Sequence, residues 1–339
     1  MGFYAPTIGA YWRPYEEAAA KKHFGGEEVF DGLVVPKTEN CMFWRLNTEG
    51  INKESYQWCM KYEDGFRRAV SAKGESPKII NPMSSFLSTY NKDACFKIWE
   101  EAGIASPKCQ VYAYKEEITL EYPYLVRLNN FATGEHTFLV KNEEELSEAD
   151  KRLAAAWQAM GHTRIQCKKI AVEFIDTTLP NMPYTSSFRI TVAGEKVVSG
   201  YARLSDDWLA ITANFTEEHK EHFVTQNKRV QKLIKDNYSE IIRAVRCLGL
   251  HHVGIDAVAD KDDNLYFLEV QPFYFAGDPN RTPPPFYNPY KPPLLVDWLI
   301  NEKEDLYKEI PLYYDMWLDK EAHFDSCYKA LAEYFHVRS

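Results

Sequence analysis

The sequence predicts an α+β (α/β) protein of two or three lobes, and three observations carry that expectation. The chain has 339 residues, more than one small core accommodates. Segments 122–142, 187–206 and 253–271 each read as strand, turn, strand. Segments 62–72, 91–102, 143–160 and 216–249 carry helical spacing or composition. No repeat, low-complexity tract or Gly/Ser linker divides the chain, so lobe boundaries follow motif order.

Bulk properties narrow the function classes. Hydrophobic residues make up 45% and charged residues 26%, ordinary for a globular protein. A net charge of −9 argues against sequence-independent nucleic-acid binding, which needs a basic surface. The seven cysteines include no C-x-x-C pair, so neither a zinc site nor a disulfide framework is expected. Scattered thiols and an opening MGFYAPTIGAYWRPYEE without a basic-then-apolar pattern suggest the cytoplasm. No apolar run approaches the roughly 20 residues that span a bilayer.

Residues 1–86 are aromatic-rich without a clean period (Tyr11, Trp12, Tyr15, Phe43, Trp44, Tyr56, Trp58); buried packing and an interaction surface both fit. Lys78-Ile79-Ile80 reads as a short strand ending at Asn81-Pro82. In the next helix Asn91 suits the N-cap, Cys95, Ile98, Trp99 and Ala102 share a face, and Gly103 supplies the stop. On spacing alone Lys92 is a solvated charge.

Tyr122 to Asn142 holds Arg127 on its first strand and Gly134 in its loop, where backbone N–H groups can cradle phosphate. Helix 143–160 opens with acids that suit an N-terminus. The apolar Lys169 to Val172 then runs into Glu173-Phe174-Ile175-Asp176, a strand end with exposed acids. A two-residue loop at Gly194-Glu195 pairs 193 with 196. That register puts Arg189 and Arg203 on opposite faces unless a bulge intervenes, and Gly200 is a plausible place for one.

The last hairpin, VGIDAVADKDDNLYFLEVQ, carries Asp256, Glu269 and Gln271. Glu269 and Gln271 share a face. A register pairing 260 with 265 sets Asp256 opposite Glu269 and Gly254 opposite Gln271. Hard oxygen donors of this kind suit Mg²⁺ carrying nucleotide phosphates, although an ordinary acidic hairpin fits the spacing as well. Adjacent His251 and His252 point opposite ways and read as structural. The stretch DPNRTPPPFYNPYKPP is irregular, with Arg281 as a candidate grip for a carboxylate, and the tail beyond 294 suggests two or three helices.

The order of these motifs resembles the ATP-grasp ligases of the carboxylate–amine type: D-alanine–D-alanine ligase, glutathione synthetase and the ribosomal-protein glutamate ligases. The resemblance spans about residues 78–275. It rests on Asn-Pro…Asn-Lys-Asp…Ala-Gly-Ile-x-x-Pro, the two-arginine hairpin, and Asp…Glu-x-Gln where the family has Glu-x-Asn. It implies two α+β lobes with antiparallel sheets sandwiching a nucleotide: residues 1–86 as a reduced N-terminal domain, 87–175 as the small lobe, 176–339 as the catalytic lobe.

It also implies roles for named residues. Lys92, Arg127 and Gly134 would meet the phosphates, with Arg127 standing where the family has lysine. Glu173 would meet the adenine amino group, the Phe174 and Ile175 backbone the ring edge, and Asp176 a ribose hydroxyl. Arg189 and Arg203 would serve the phosphates and the reacting carboxylate, with Asn214 nearby. Asp256, Glu269 and Gln271 would hold Mg²⁺. The activity implied is ATP-dependent amide formation through an acyl phosphate. A hydroxyl phosphotransferase and a non-catalytic nucleotide binder are the alternatives. Expected partners are small carboxylate and amine substrates, an amino acid or short peptide by default. Neither nucleic acid nor membrane is expected, and a homodimer is left open.

Overall fold

The computed structural model describes residues 13–24, 29–30, 33–34, 40–44, 52–131, 134–160, 164–182, 184–209, 218–272 and 320–336, with 301, 305 and 308 as isolated helical positions. Asn214, Arg281 and the proline-rich stretch lie outside them.

The elements, in chain order, are α1 (Arg13–Phe24), β1 (Val29–Phe30), β2 (Leu33–Val34), β3 (Cys41–Phe43), α2 (Lys53–Ser71), β4 (Lys78–Ile80), α3 (Phe86–Tyr90) and α4 (Lys92–Glu101). Then come β5 (Cys109–Tyr112), β6 (Tyr124–Leu128), β7 (Thr137–Val140), α5 (Glu143–Met160), β8 (Lys169–Glu173), β9 (Thr185–Ala193) and β10 (Lys196–Ser205). The series ends with α6 (His219–Asp236), α7 (Tyr238–Arg246), β11 (His252–Ala259), β12 (Leu265–Gln271) and α8 (Lys320–Tyr334).

Two four-stranded antiparallel sheets frame the molecule. The first has strand order β5-β8-β6-β7. On β6, Tyr124, Val126 and Leu128 alternate inward and meet Leu146, Ala149, Leu153 and Ala156, which recur at helical spacing on α5. The intervening Arg127 is left on the opposite face. Sequence alone does not mark β5, a short edge strand completed by pairing with β8.

The second sheet has order β10-β9-β11-β12. Phe188, Ile190, Val192, Ala202, Ile255, Ala257, Phe267 and Val270 form its apolar face, covered by Val230, Leu233 and Ile234 of α6 and by Ile241 and Val245 of α7. Gly200 belongs to this packing. A Cβ there would stand 2.2 Å from Ile234 Cδ1, so the helix approaches only over a glycine.

Helix α4 joins the two lobes. Cys95, Phe96 and Trp99 enter the same cluster, Trp99 Nε1 donates to Ala244 O at 2.8 Å, and Phe267 N donates to Ala105 O at 3.0 Å. Asn91 stands at the helix's N-cap position, as expected, but its side chain makes no capping bond. It lies instead beside Asn129 Nδ2, which donates to its Oδ1 at 3.4 Å. Gly103, φ +65°, is the stop.

The N-terminal unit is built on α2 and the parallel pair β3–β4. Helix α2 starts nine residues earlier than composition suggests, because Asn52 and Ser55 form a capping box. Phe43 and Trp44 are buried, whereas Tyr15 and Trp58 are exposed. The two ends of the described chain meet: Tyr328 of α8 donates to the buried Glu16 of α1 at 2.6 Å, and Phe324 and Leu331 pack with Ala20 and Phe24.

Candidate active site

Strand register assembles the site on the polar face of the second sheet. Two bulges decide it. Pairing along β9–β10 shifts between Val197 and Ser199, so Val198 is the extra residue rather than Gly200. Beyond it, Tyr201 pairs with Arg189 and Arg203 with Ser187, which returns Arg189 and Arg203 to one face. In β11–β12 the turn end pairs 259 with 265, not 260 with 265, and a shift between Asp256 and Ala257 makes Leu268 the extra residue. That shift restores Asp256 opposite Glu269 and Gly254 opposite Gln271. Without it, Glu269 would face the apolar core.

The consequence is a row across four strands, Tyr201–Arg189–Asp256–Glu269, beside a second row, Ser199–Thr191–Gly254–Gln271. Asp256 is 8% exposed and is gripped by two guanidiniums. Arg189 donates to it twice, Nε to Oδ1 at 2.7 Å and Nη2 to Oδ2 at 2.6 Å. Arg203 Nη2 adds a bond to Oδ1 at 2.7 Å, while its buried Nε has no partner among the described residues. Burial works against the Arg189 charge, but Asp256 holds it above the ordinary arginine value.

Glu269 is served from the other lobe. Lys92 Nζ stands 2.9 Å from Glu269 Oε2 and also donates to Phe131 O at 2.9 Å. Arg127 Nη2 donates to the same Phe131 carbonyl at 2.8 Å. Gln271 Nε2 donates to Glu269 Oε1 at 2.8 Å. Burial alone would push the Glu269 carboxyl up; Lys92 first, then Arg127, with hydrogen bonds from Lys92 and Gln271, hold it down at about 2. Burial draws Lys92 below the ordinary lysine value despite Glu269. The pair shifts unequally because the neighbouring Arg127 charge favours the carboxylate and opposes the ammonium. Burial likewise lowers Arg127.

Lys92 is thus a buried ion-pair partner, not the solvated charge its spacing suggests. Gly134 sits in the β6–β7 connection at φ +74° and accepts from Thr137 N at 3.2 Å. Glu173 ends β8, and its Oε2 accepts from Lys108 N at 3.1 Å. Phe174 and Ile175 follow, half-buried and outside any strand. Asp176 is exposed and turns inward on its own loop, accepting from Thr178 N at 2.9 Å and Thr178 Oγ1 at 2.7 Å.

The donor set suits a hard cation: two carboxylates and the Gln271 amide oxygen, whose amide nitrogen is already directed at Glu269. Three cationic side chains pair with these two carboxylates and Arg127 lies close enough to act on Glu269, so the cluster favours an anion that brings a divalent cation with it. Among the described residues no group of three or more His, Cys, Asp or Glu forms a separate metal cluster. No described helix is long and apolar enough to cross a membrane.

One residue of the sequence motifs has a role that sequence did not assign. Asn81, buried at φ +53°, bonds through its carboxamide to His251, His252 and Pro272. A polar residue stopping a strand before proline was the available signal.

Comparison with solved structures places the fold. A RimK domain ATP-grasp protein from Sphaerobacter thermophilus matches 97% of this chain and 97% of its own, at 11% identity and a TM-score of 0.52. An L-amino acid ligase from Bacillus licheniformis matches 76% of this chain and 64% of its own, at 19% identity and TM-score 0.45. The N5-carboxyaminoimidazole ribonucleotide synthetase of Thermotoga maritima matches 69% of this chain at 16% identity and TM-score 0.40; this chain spans about half that protein's length, 51%. No curated protein matches by sequence. The model of the RimK-like ATP-grasp domain matches residues 89–273, more than half of the chain, and the protein belongs to that family.

Proposed function

We propose that this chain is an ATP-dependent carboxylate–amine ligase that forms an amide through an acyl phosphate, acting on small substrates in the cytoplasm. The observation that carries the reading is the approach of Lys92 from the start of α4 and Arg127 from the first sheet, and of Arg189 and Arg203 from the second, to the facing pair Asp256 and Glu269. Such a cluster is suited to a triphosphate whose charge develops between the lobes.

ATP is a substrate in this reading. Lys92 and Arg127 bind its phosphates from the Phe131 side, and Arg189 spreads the charge of the transferred group. The β8 strand end, with Glu173 and the Phe174 and Ile175 backbone, takes the adenine edge, and Asp176 the ribose. Asp256, Glu269 and the Gln271 amide oxygen would hold Mg²⁺, which when bound would neutralise phosphate charge and orient the triphosphate. A substrate carboxylate oxygen attacks the γ-phosphorus and the bond to the β-phosphate bridging oxygen breaks, giving acyl phosphate and ADP. An amine then attacks the acyl carbon, a proton leaves the nitrogen, and phosphate departs. In this reading Arg203, whose Nη2 holds Asp256 Oδ1, meets the oxyanion. No protein nucleophile is needed; orientation and charge supply the rate.

The test pairs a carboxylate library with an amine library, reads ADP release, and identifies new amides by mass. ADP release that requires both substrates and yields an amide supports the reading. A stable phosphorylated product formed without amine would replace it with a hydroxyl phosphotransferase. Nucleotide binding without ADP release across the screen would make the chain a binding module.

A further inference from the structure

The hairpin β11–β12 has a closed end and an open one. Its closed end is the turn 260–264, locked by Asp260 Oδ1, which accepts from Asp262 N at 2.9 Å and Asn264 N at 3.0 Å. Its open end is where Gln271 lies, and the ladder stops there at Gly254↔Gln271. Open hairpin ends lose their register first, because nothing beyond the last rung holds the strands.

Here something does. The Asn81 carboxamide lies across the two strands one step past the last rung. Its Nδ2 donates to His252 O at 2.7 Å on one strand and to Pro272 O at 3.1 Å on the other. Its Oδ1 accepts from His251 N and His252 N, both at 3.0 Å. Its own N–H donates to His251 Nδ1 at 3.3 Å. That ring nitrogen must be unprotonated to accept, and burial, with Arg246 nearby, lowers the His251 pKa to about 4. Asn81 is fully buried and adopts φ +53°, a conformation that asparagine tolerates better than most side chains.

We propose that Asn81, which lies before the matched domain in the N-terminal unit, is a positioning residue: it closes the open end of the hairpin and thereby sets Gln271 and, through Gln271, Glu269 for the metal–nucleotide. The inference rests on the ligand roles proposed above. The chain of contacts is short. Asn81 holds the Pro272 carbonyl, Pro272 follows Gln271, and Gln271 Nε2 holds Glu269 Oε1 at 2.8 Å. Outer groups of this kind orient ligands without touching the ion.

The experiment titrates Mn²⁺ into the purified chain with ADP and reads bound ion by electron paramagnetic resonance. Asn81→Gly keeps the backbone conformation and deletes the carboxamide. It weakens Mn²⁺ binding in the presence of ADP by about 10-fold or more, the range for outer-shell ligand partners. ADP binding in EDTA changes less than about twofold, since Lys92 and Arg127 supply it from the other lobe. Gln271→Ala gives a similar loss, and adding Asn81→Gly to it costs little more, because the two act in series. A merely structural role would lower both affinities together and add fully to Gln271→Ala.

Asn81→Asp keeps the acceptor for His251 and His252 but loses both donations, and is the deciding variant where the glycine variant does not fold. In the unmodified chain, Mn²⁺ with ADP slows hydrogen exchange of the His251 and His252 amides, since coupling is reciprocal. Wild-type Mn²⁺ affinity in either variant, or exchange at those amides unmoved by ligand, overturns the inference. Absence of Mn²⁺ binding with ADP by the wild-type chain overturns the functional reading itself.

Discussion

The two carboxylates of the site face each other across one pair of strands, yet they are neutralised in different ways. Asp256 is held within its own sheet, by Arg189 directly across the strand pair and Arg203 from the next strand. Glu269 is held across lobes, by Lys92 from the start of α4, with Arg127 of the first sheet nearby. The first arrangement is insensitive to how the lobes sit. The second depends on how α4 packs against that sheet. One carboxylate is therefore neutralised by strand register alone, and the other by a helix–sheet contact.

The largest expected effect breaks the cross-lobe arm. Glu269→Ala lowers ADP release by about 1,000-fold, at the upper end for loss of one electrostatic contact in a preorganised site. ADP release is measured with saturating substrates, and a circular-dichroism spectrum checks that the sheets persist. Retained turnover would remove Glu269 from the ligand set.

Next in size is the intra-sheet arm. Arg189→Ala leaves a buried carboxylate with one partner and destabilises by about 3 kcal/mol, as breaking buried pairs does. Arg203→Ala removes a single charge-assisted bond and costs about 1.5 kcal/mol. Urea unfolding checks both; equal effects would mean that the doubled contact of Arg189 carries no extra weight.

Acid sharpens the contrast further. The folded Glu269 carboxyl is held at about 2, below the unfolded value of about 4.3. Its contribution is therefore complete above the unfolded value and is lost as pH falls from there toward 2. Replacing it by Gln removes that stretch of pH dependence, so the wild-type and Glu269→Gln acid-unfolding curves converge at low pH. Curves that stay parallel would show that the Lys92 pairing does not stabilise the fold.

The smallest effect concerns the apolar side of the same sheet. Gly200→Ala drives a methyl into the flexible end of Ile234, Cδ1, and costs about 1 kcal/mol by overpacking. Ile234→Val removes that atom, so the double variant recovers part of the loss. No recovery would place the strain in the strand rather than at the helix.

Much of the architecture was legible because it follows from local patterns. Helix α5 occupies the expected 143–160, and α6 and α7 both fall within the expected 216–249. The three hairpins stand where alternating apolar residues and turn formers put them. Motif order along the chain was enough to identify the ATP-grasp family, and the domain match agrees.

The face on which each arginine and acid lies was less legible. Period-two alternation predicts faces only for an unbroken ladder, and both hairpins contain an extra residue. Gly200 attracted the bulge on paper because glycine often marks one, but it is reserved for the approach of α6. Val198 carries the bulge without any compositional sign.

Residue types and their order determined by themselves where the hairpins and helices would form and which carboxylates and cations they would carry, because backbone periodicity and apolar spacing are local properties. Only the tertiary structure decided that Lys92 is buried against Glu269, that two arginines share Asp256, and that Asn81 bridges the hairpin end. Those contacts join residues 53 to 191 positions apart, and their energy comes from excluding water around paired charges, which no local pattern encodes.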